Sequence, residues 1–144
     1  MDAKAMFNLS YGLFVLSAND GERDNACIIN TAVQVANNPT RLAISCQSEN
    51  LTKEMIERTG EFNVSVLSED VSFDTIKHFG MQTGREVNKF ENFSAVKRSH
   101  NGLYYLTENA NAMFSCQLGW ALPFASVPTT IISFAVCLPS TDNA

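Results

Sequence analysis

The sequence predicts a mainly β protein, a small barrel with short helical insertions. Segments rich in Ile, Val, Phe and Thr recur along the 144 residues, and turn signals separate the early ones. Only two segments show helical spacing, and each is followed by a glycine where a helix would end. About six or seven strands with two short helices are typical of one small barrel domain.

The first half of the chain predicts an antiparallel meander. Residues 11–18 form the first strand, and Asn-Asp-Gly at 19–21 supplies the positive φ angles of a tight turn. Residues 26–36 are predicted as one continuous second strand. Pro39 restricts the backbone of the preceding asparagine and marks the next turn. Residues 41–46 then return as the third strand.

The first helix is predicted at residues 52–59. Leu51, Met55 and Ile56 lie on one face at this spacing, and Gly60 occupies the position after the helix end. Residues 61–68 alternate between apolar and polar side chains, which indicates a strand with one face in the core.

A second short helix is predicted at residues 71–79, with Asp70 as its N-cap and Gly80 at its end. Arg85 and Lys89 follow. Because they are four residues apart, one helical turn would place both cations on the same face.

Three further strands are predicted in the last third of the chain, at residues 103–107, 112–120 and 129–138. No repeat, low-complexity segment or linker divides the sequence. We therefore expect residues 1–144 to form a single domain.

Composition excludes several classes of function. The net charge is −5 and the cationic residues are not clustered, which disfavours nucleic-acid binding. No apolar run approaches the roughly 20 residues of a membrane span, and no leader peptide is evident, so we expect a cytoplasmic location without membrane attachment. Four cysteines lie in apolar, strand-like segments without CxxC spacing, which favours reduced thiols over disulfides and predicts no metal site.

Three short polar residues, Ser48, Asn50 and Thr52, precede the first helix. Free N–H groups and the helix dipole make such a position a natural anion site. Arg85 or Lys89 would complete a phosphate site if either folds back to this end of the barrel. The alternatives are an ordinary helix cap and an ordinary solvated pair of cations.

A second candidate site lies on the predicted second strand, where Asn30, Thr31 and Gln34 interrupt apolar residues. Asn is disfavoured in strands, and amide groups in an apolar cleft can bind the polar edge of a flat heterocycle. The alternative is an edge position with local hydrogen bonds. No nucleophile with a matching base is visible, so no catalytic side chain is predicted.

The run NACIINTAVQVANNPTRLAISCQSENLTKEMIERTGEFNVSVLSED, followed by HFGMQTGREVNKF, resembles the flavin reductase-like family. The resemblance covers residues 11–117 and is greatest to the NAD(P)H:flavin oxidoreductases and flavoredoxins of anaerobes, some of which are fused to rubredoxin. It implies a six-stranded antiparallel split β-barrel of Greek-key type, a homodimer, bound FMN (or FAD), and NAD(P)H as co-substrate. It also implies free flavin, a rubredoxin-like protein or another redox protein as electron acceptor.

The resemblance also assigns cofactor-binding positions. Residues implied to lie along the flavin ring are Asn30, Thr31 and Gln34. Those implied to pass beside the ring and the ribityl chain are Cys46, Gln47 and Ser48. Asn50 and Thr52 are implied to grip the phosphate. The residues implied to close over the cofactor are Phe79, Gly80, Gly84, Arg85, Lys89 and Phe90.

The sequence departs from the family pattern at residues 126–130. Relatives usually carry a Gly-x-His motif before the last long strand, near the nicotinamide, and this segment contains no histidine. Three hypotheses follow. The first is an NAD(P)H:flavin oxidoreductase, the second is an FMN electron-transfer module that a partner protein reduces, and the third is a non-catalytic barrel that has lost FMN.

Overall fold

The computed structural model describes residues 2–123 and 129–139, and within these ranges it is mainly β, as predicted. Ten strands, two α-helices and one short 3-10 helix make up the described fold. Their bounds are Ala3–Asn8 (3-10 helix), Phe14–Asn19 (β1), Asp24–Ile29 (β2), Ala32–Asn37 (β3), Thr40–Gln47 (β4), Leu51–Thr59 (α1), Glu61–Leu67 (β5), Phe73–Gly80 (α2), Val96–Arg98 (β6), Tyr104–Leu106 (β7), Ala110–Gln117 (β8), Trp120–Pro123 (β9) and Thr129–Pro139 (β10).

Eight of these strands form one antiparallel sheet, in the order β2-β1-β5-β8-β10-β4-β3, with β9 paired to β10. The pairs β1–β5 and β4–β10 join strands that are distant in sequence, which is the crossover pattern of Greek-key sheets. β6 and β7 form a separate two-stranded ribbon. The described fold therefore contains more strands than the six that the family resemblance implies.

The predicted second strand at residues 26–36 is two strands. The break falls at Asn30 and Thr31, between β2 and β3. β2 pairs with β1, whereas β3 pairs with β4 at the other end of the sheet order. One straight strand cannot join both ends, so the chain bends here, and the Thr31 carbonyl accepts a hydrogen bond from the Ser45 N–H of β4.

The strands β1 and β2 are buried on both faces. Leu16 and Ile29 belong to the main core with residues of β4, α1 and β5. Val15 and Ala26, which point the other way, pack with Phe79 of α2 in a second cluster. Double burial explains why the β1 sequence is a continuous apolar run and not an alternating one.

Polar side chains join the ribbon to the sheet. Asn63 of β5 is fully buried, and its amide donates to Ser99 Oγ at 2.8 Å and to the Leu103 carbonyl at 3.1 Å. Its Oδ1 accepts from Asn101 Nδ2 at 2.9 Å. Ser17 of β1, which is paired with Asn63 in the sheet, donates to the Tyr104 carbonyl. The ribbon of β6 and β7 therefore covers the polar face of β5. Its hydrogen bonds to β5 replace those that water would make.

Both helices are present with shifted starts. α1 begins at Leu51 and its N-cap is Asn50, and Gly60 ends it with a φ of 77°. α2 begins at Phe73, two residues later than predicted, because the Ser72 side chain and not that of Asp70 caps it. No helix among the described residues is long and apolar enough to cross a membrane.

The prediction of reduced cysteines is correct for two residues and wrong for one. Cys27 and Cys46 are free thiols, whereas Cys116 is disulfide-bonded. The β8–β10 register places the backbone of Cys137 directly opposite Cys116. Because these two residues are distant in sequence, local sequence patterns could not predict that they lie opposite each other.

We expect Asn63→Ala to lower the free energy of unfolding by about 3 kcal/mol, since it removes several buried hydrogen bonds and leaves their partners unsatisfied. Urea denaturation followed by circular dichroism measures this. Asn8→Ala is the matched control, because Asn8 is exposed and bonds only to a carbonyl of the N-terminal 3-10 helix. Its effect should stay below about 0.5 kcal/mol. Equal effects of the two variants would contradict the role given to Asn63.

Candidate functional site

A cleft of about 520 Å³ opens where the ends of β2 and β4 meet the end of α2. These two strands approach each other without pairing in the sheet. The cleft walls combine apolar side chains with amides and one cation. The lining residues are Leu13, Cys27, Ile28, Ile29, Asn30, Ser45, Cys46, Gln47, Asn50, Phe79, Gly80, Gln82 and Lys89.

A second cavity of about 440 Å³ continues this cleft toward the start of α1 and the loop after α2. The two cavities share five lining residues, Gln47, Asn50, Gly80, Gln82 and Lys89. The second cavity adds Asn25, Glu49, Leu51, Met81, Thr83 and Gly84. Together they form one extended cleft, of the size that small-molecule cofactors occupy.

The N-terminus of α1 faces this second cavity. Asn50 lines both cavities, and its side chain accepts a hydrogen bond from the Thr52 N–H at 2.9 Å. Thr52 itself is fully buried, and its Oγ1 accepts from Asn25 Nδ2 at 3.0 Å. Thr52 thus fixes the position of β2 against α1 from beneath the cleft, and Asn50 presents the helix start to it.

Lys89 is the buried cation of the cleft. It is only 3% exposed, and its Nζ donates to the carbonyls of Ala26 and Phe79, both at 2.8 Å. Burial lowers the pKa of Lys89, while the negative charge that Cys27 can carry opposes this effect. The hydrogen bonds hold the ammonium group in place, so the cleft has a fixed positive charge on one wall.

Arg85 lies at the outer end of the cleft with a half-exposed side chain. Its guanidinium forms an ion pair with Glu54 of α1 and donates to the Glu49 carbonyl at 3.3 Å. The residues 84–89 form turns and not a helix, so Arg85 and Lys89 do not share one face as predicted. They nevertheless both fold back toward the start of α1.

Two observations indicate that the second cavity is a preformed binding pocket. Asn25 Oδ1 is buried and has no hydrogen-bond partner among the described residues. A Cβ added to the buried Gly84 would lie 2.1 Å from this same oxygen. Only glycine permits the loop to approach Asn25 so closely, and the unsatisfied acceptor can receive a donor from a ligand.

The structure brings together seven of the predicted site residues in the first cavity. These residues are Asn30, Cys46, Gln47, Asn50, Phe79, Gly80 and Lys89. Gly84 lines the second cavity, and Arg85 lies beside it. The segment at residues 126–130, where the family motif is absent, lies largely outside the described residues, since 124–128 are not described.

Six predicted residues line neither cavity. Arg85 lies beside the second cavity as described above, and Phe90 packs against Phe79 in the second core cluster. Thr52 lies below the cleft as described above. Thr31 donates to Asn30 Oδ1 at 3.1 Å and so can orient that side chain. Gln34 is exposed on β3, where its amide donates to the Ala36 carbonyl. Ser48 follows Gln47 and is partly buried.

Sequence reasoning missed several lining residues. Asn25 and Cys27 lie at alternate positions on the inner face of β2, before the predicted site residue Asn30. A polar residue at the start of an otherwise apolar strand was the available signal for Asn25. Gln82 gave no signal, because it lies in a turn after α2 and its side chain donates to the His78 carbonyl.

Comparisons with known proteins agree with this architecture. Residues 6–133 match the family described as flavin reductase like domain. The high molecular weight rubredoxin of Moorella thermoacetica is 37% identical over 118 residues, which are 82% of this chain and 51% of that protein. The ferric-chelate reductase (NAD(P)H) of Archaeoglobus fulgidus is 29% identical over 118 residues, which are 82% of this chain and 69% of that protein.

A solved structure gives the same fold. The FMN-binding protein of Thermus thermophilus superimposes with a TM-score of 0.77 and 21% identity, and the match covers 90% of this chain and 70% of that one. The chain spans about half the length of the rubredoxin relative. The match to the family model extends over most of the sequence, and the sheet has the split-barrel form of the solved relatives. The chain therefore belongs to the flavin reductase-like family.

Proposed function

We propose that this chain is a cytoplasmic flavin-dependent oxidoreductase that holds FMN in the cleft between β2, β4 and α1. It takes electrons from NAD(P)H and passes them to free flavin or to a redox protein. The observation that carries the proposal is the composition of one continuous cleft. Its first cavity combines apolar side chains, uncharged amides and Lys89, and its second cavity adds the start of α1, Asn25 and Gly84, with Arg85 beside it.

The first half suits a flat heterocycle. Ile28, Ile29 and Phe79 provide apolar contact area, and the Asn30 and Gln47 side chains offer amide groups at its rim. Such amides can hydrogen-bond the polar edge of a ring that carries carbonyls and an N–H group. Thr31, Gln34 and Ser48 lie outside this lining, and we assign Thr31 to orienting Asn30.

The second half suits a phosphate and a polyhydroxyl chain. Asn25 Oδ1 lacks a donor, and a ribityl hydroxyl would be a donor of the matching kind beside this cavity. The N-terminus of α1 and the Arg85 guanidinium favour an anion, because the helix dipole and a charge-assisted hydrogen bond act in the same direction. Thr52 supports this end from below by holding Asn25 against α1. The residues therefore fit the cofactor that the family implies.

Bound flavin supplies the hydride and electron chemistry. The chain's own residues bind, orient and shield. His78 Nε2–H donates to the Lys89 carbonyl at 2.6 Å and the ring stacks on Phe93, so this side chain holds the loop after α2 in place. We propose that no side chain transfers a proton in the reaction.

A redox protein of the rubredoxin class is the partner that the relatives suggest, because one of them is named as a rubredoxin and is about twice as long as the matched region. We also propose a homodimer. Val33 and Val35 are exposed on β3, which lies at one end of the described sheet order. An exposed apolar strand at a sheet edge is normally covered by another chain.

The runner-up is an FMN electron-transfer module that is reduced by a partner protein and not by NAD(P)H. The absence of histidine at residues 126–130 favours it, because relatives usually place a histidine there.

Anaerobic reduction separates the two functions. The purified protein should be yellow, with flavin absorption near about 450 nm. Bleaching on addition of NADH or NADPH is the expected result, and dithionite serves as the control for complete reduction. Bleaching by dithionite but by neither nucleotide would establish the runner-up. A protein that binds neither FMN nor FAD would refute both.

We expect Arg85→Ala to weaken FMN binding roughly tenfold, the value of one charge-assisted hydrogen bond to phosphate. Riboflavin, which lacks the phosphate, should bind with unchanged affinity, and quenching of flavin fluorescence measures both ligands. Arg58→Ala is the matched control, because Arg58 is also exposed and also pairs with a carboxylate, but at the opposite end of α1. Equal loss for FMN and riboflavin would exclude a phosphate contact by Arg85.

A further inference from the structure

Two free thiols meet on the inner side of the cleft. Cys27 belongs to β2 and Cys46 to β4, two strands that are not hydrogen-bonded neighbours in the sheet. Both side chains line the cavity of about 520 Å³, although the residues are only 4% and 3% exposed. The thiols hydrogen-bond to each other. The closure of the barrel thus creates a cysteine pair that sequence spacing does not show.

The two thiols have different surroundings. The hydrogen bond from Cys46 lowers the pKa of Cys27, and the Thr52 hydroxyl, the Lys89 ammonium and Asn50 act in the same direction against burial. The hydrogen bond to Cys27, together with burial, raises the pKa of Cys46. Cys27, which lies next to the carbonyl that holds the Lys89 ammonium, is therefore favoured as the thiolate. A nucleophilic cysteine beside a second thiol that can resolve it has this arrangement.

We propose that Cys27 and Cys46 form a peroxide-reactive thiol pair that closes to an intramolecular disulfide between β2 and β4. The proposal goes beyond the flavin chemistry proposed above and does not need a bound flavin. Hydrogen peroxide is the oxidant, because both sulfurs are buried at the wall of the cavity. A small uncharged peroxide can enter such a cavity, whereas a protein disulfide cannot.

The reaction balances in two steps. The Cys27 thiolate attacks one peroxide oxygen, the O–O bond breaks, and the departing hydroxide takes up a proton to become water. Cys27 is then a sulfenic acid. The Cys46 sulfur attacks the Cys27 sulfur, the S–O bond breaks, and the hydroxyl leaves as a second water with the Cys46 proton. Two thiols lose two electrons in total, and one peroxide is reduced to two waters.

The position of Lys89 supports the first step. Its ammonium group is fixed by the Ala26 carbonyl, next to Cys27 in the chain, and lies within electrostatic range of the Cys27 sulfur. A fixed cation stabilises a thiolate more effectively inside a barrel than in water, since the local dielectric constant is lower.

The test treats the protein with hydrogen peroxide under anaerobic conditions and without NAD(P)H, once as purified and once after removal of any bound flavin, because FMN would occupy the cavity through which peroxide enters. Intact-mass spectrometry should show the loss of two hydrogens, and peptide mapping should locate a Cys27–Cys46 crosslink that dithiothreitol removes. Mapping separates this bond from that of Cys116, which is present before treatment. Thiols that stay reduced in both forms of the protein, or a crosslink that joins other cysteines, would overturn the proposal without any variant. Flavin absorption of the purified protein tests the proposed function separately.

Two matched variants assign the roles. Cys46→Ser should react with peroxide at a rate close to that of the wild type but stop at the sulfenic acid, which dimedone traps on Cys27. Cys27→Ser should react roughly tenfold more slowly, because the remaining Cys46 thiol is still buried, and burial raises its pKa. Circular dichroism of both variants confirms folding. Equal peroxide rates in Cys27→Ser and the wild type would reject Cys27 as the nucleophile, and the mapping of the wild type stands if either variant fails to fold.

Discussion

The outer edge of β2 carries no paired strand among the described elements, and the site depends on how that edge is covered. A bare strand edge leaves backbone groups without partners and invites another chain to pair with it. Here the loop after α2 covers the edge with side chains. Lys89 donates to the Ala26 carbonyl of β2 and to the Phe79 carbonyl of α2, while Arg23 donates from β2's own turn to the Gly84 carbonyl. Because side chains and not a strand close this edge, a cleft remains between β2 and β4.

The same arrangement gives the cleft its chemistry. Lys89 is buried because it replaces a missing strand, so its positive charge is set at a fixed point in the wall. α1 starts at the opposite side of the opening, and the buried hydrogen bond between Asn25 and Thr52 holds it there. Cys27 and Cys46 face each other because no paired strand separates β2 from β4. The position of the α1 start beside the cleft and the pairing of the two thiols therefore have one structural cause.

Local patterns predicted much of the candidate site. Asn30 was found because an asparagine is unexpected in a strand, and Asn50 because a short polar residue precedes a helix. Both line the cleft. Thr52 was selected by the same pattern, yet its side chain turns inward to Asn25, since the first turn of α1 has a buried side. The sequence predicts that Arg85 and Lys89 share a helix face. In the structure the segment forms turns, and only the Lys89 side chain donates to a backbone carbonyl of β2.

By itself, the sequence determined the mainly β class, most of the strands, the two helices, the glycines that end the early turns and helices, and the family. These depend on residue periodicity and backbone preference over a few neighbouring positions, and both can be read from the sequence alone. Tertiary structure alone decided that the segment after Ile29 changes sheet position, that Lys89 is buried, and that Cys27 meets Cys46. Each of these follows from closing a barrel between residues distant in the chain, where the free energy of burying edges and side chains overrides local preference.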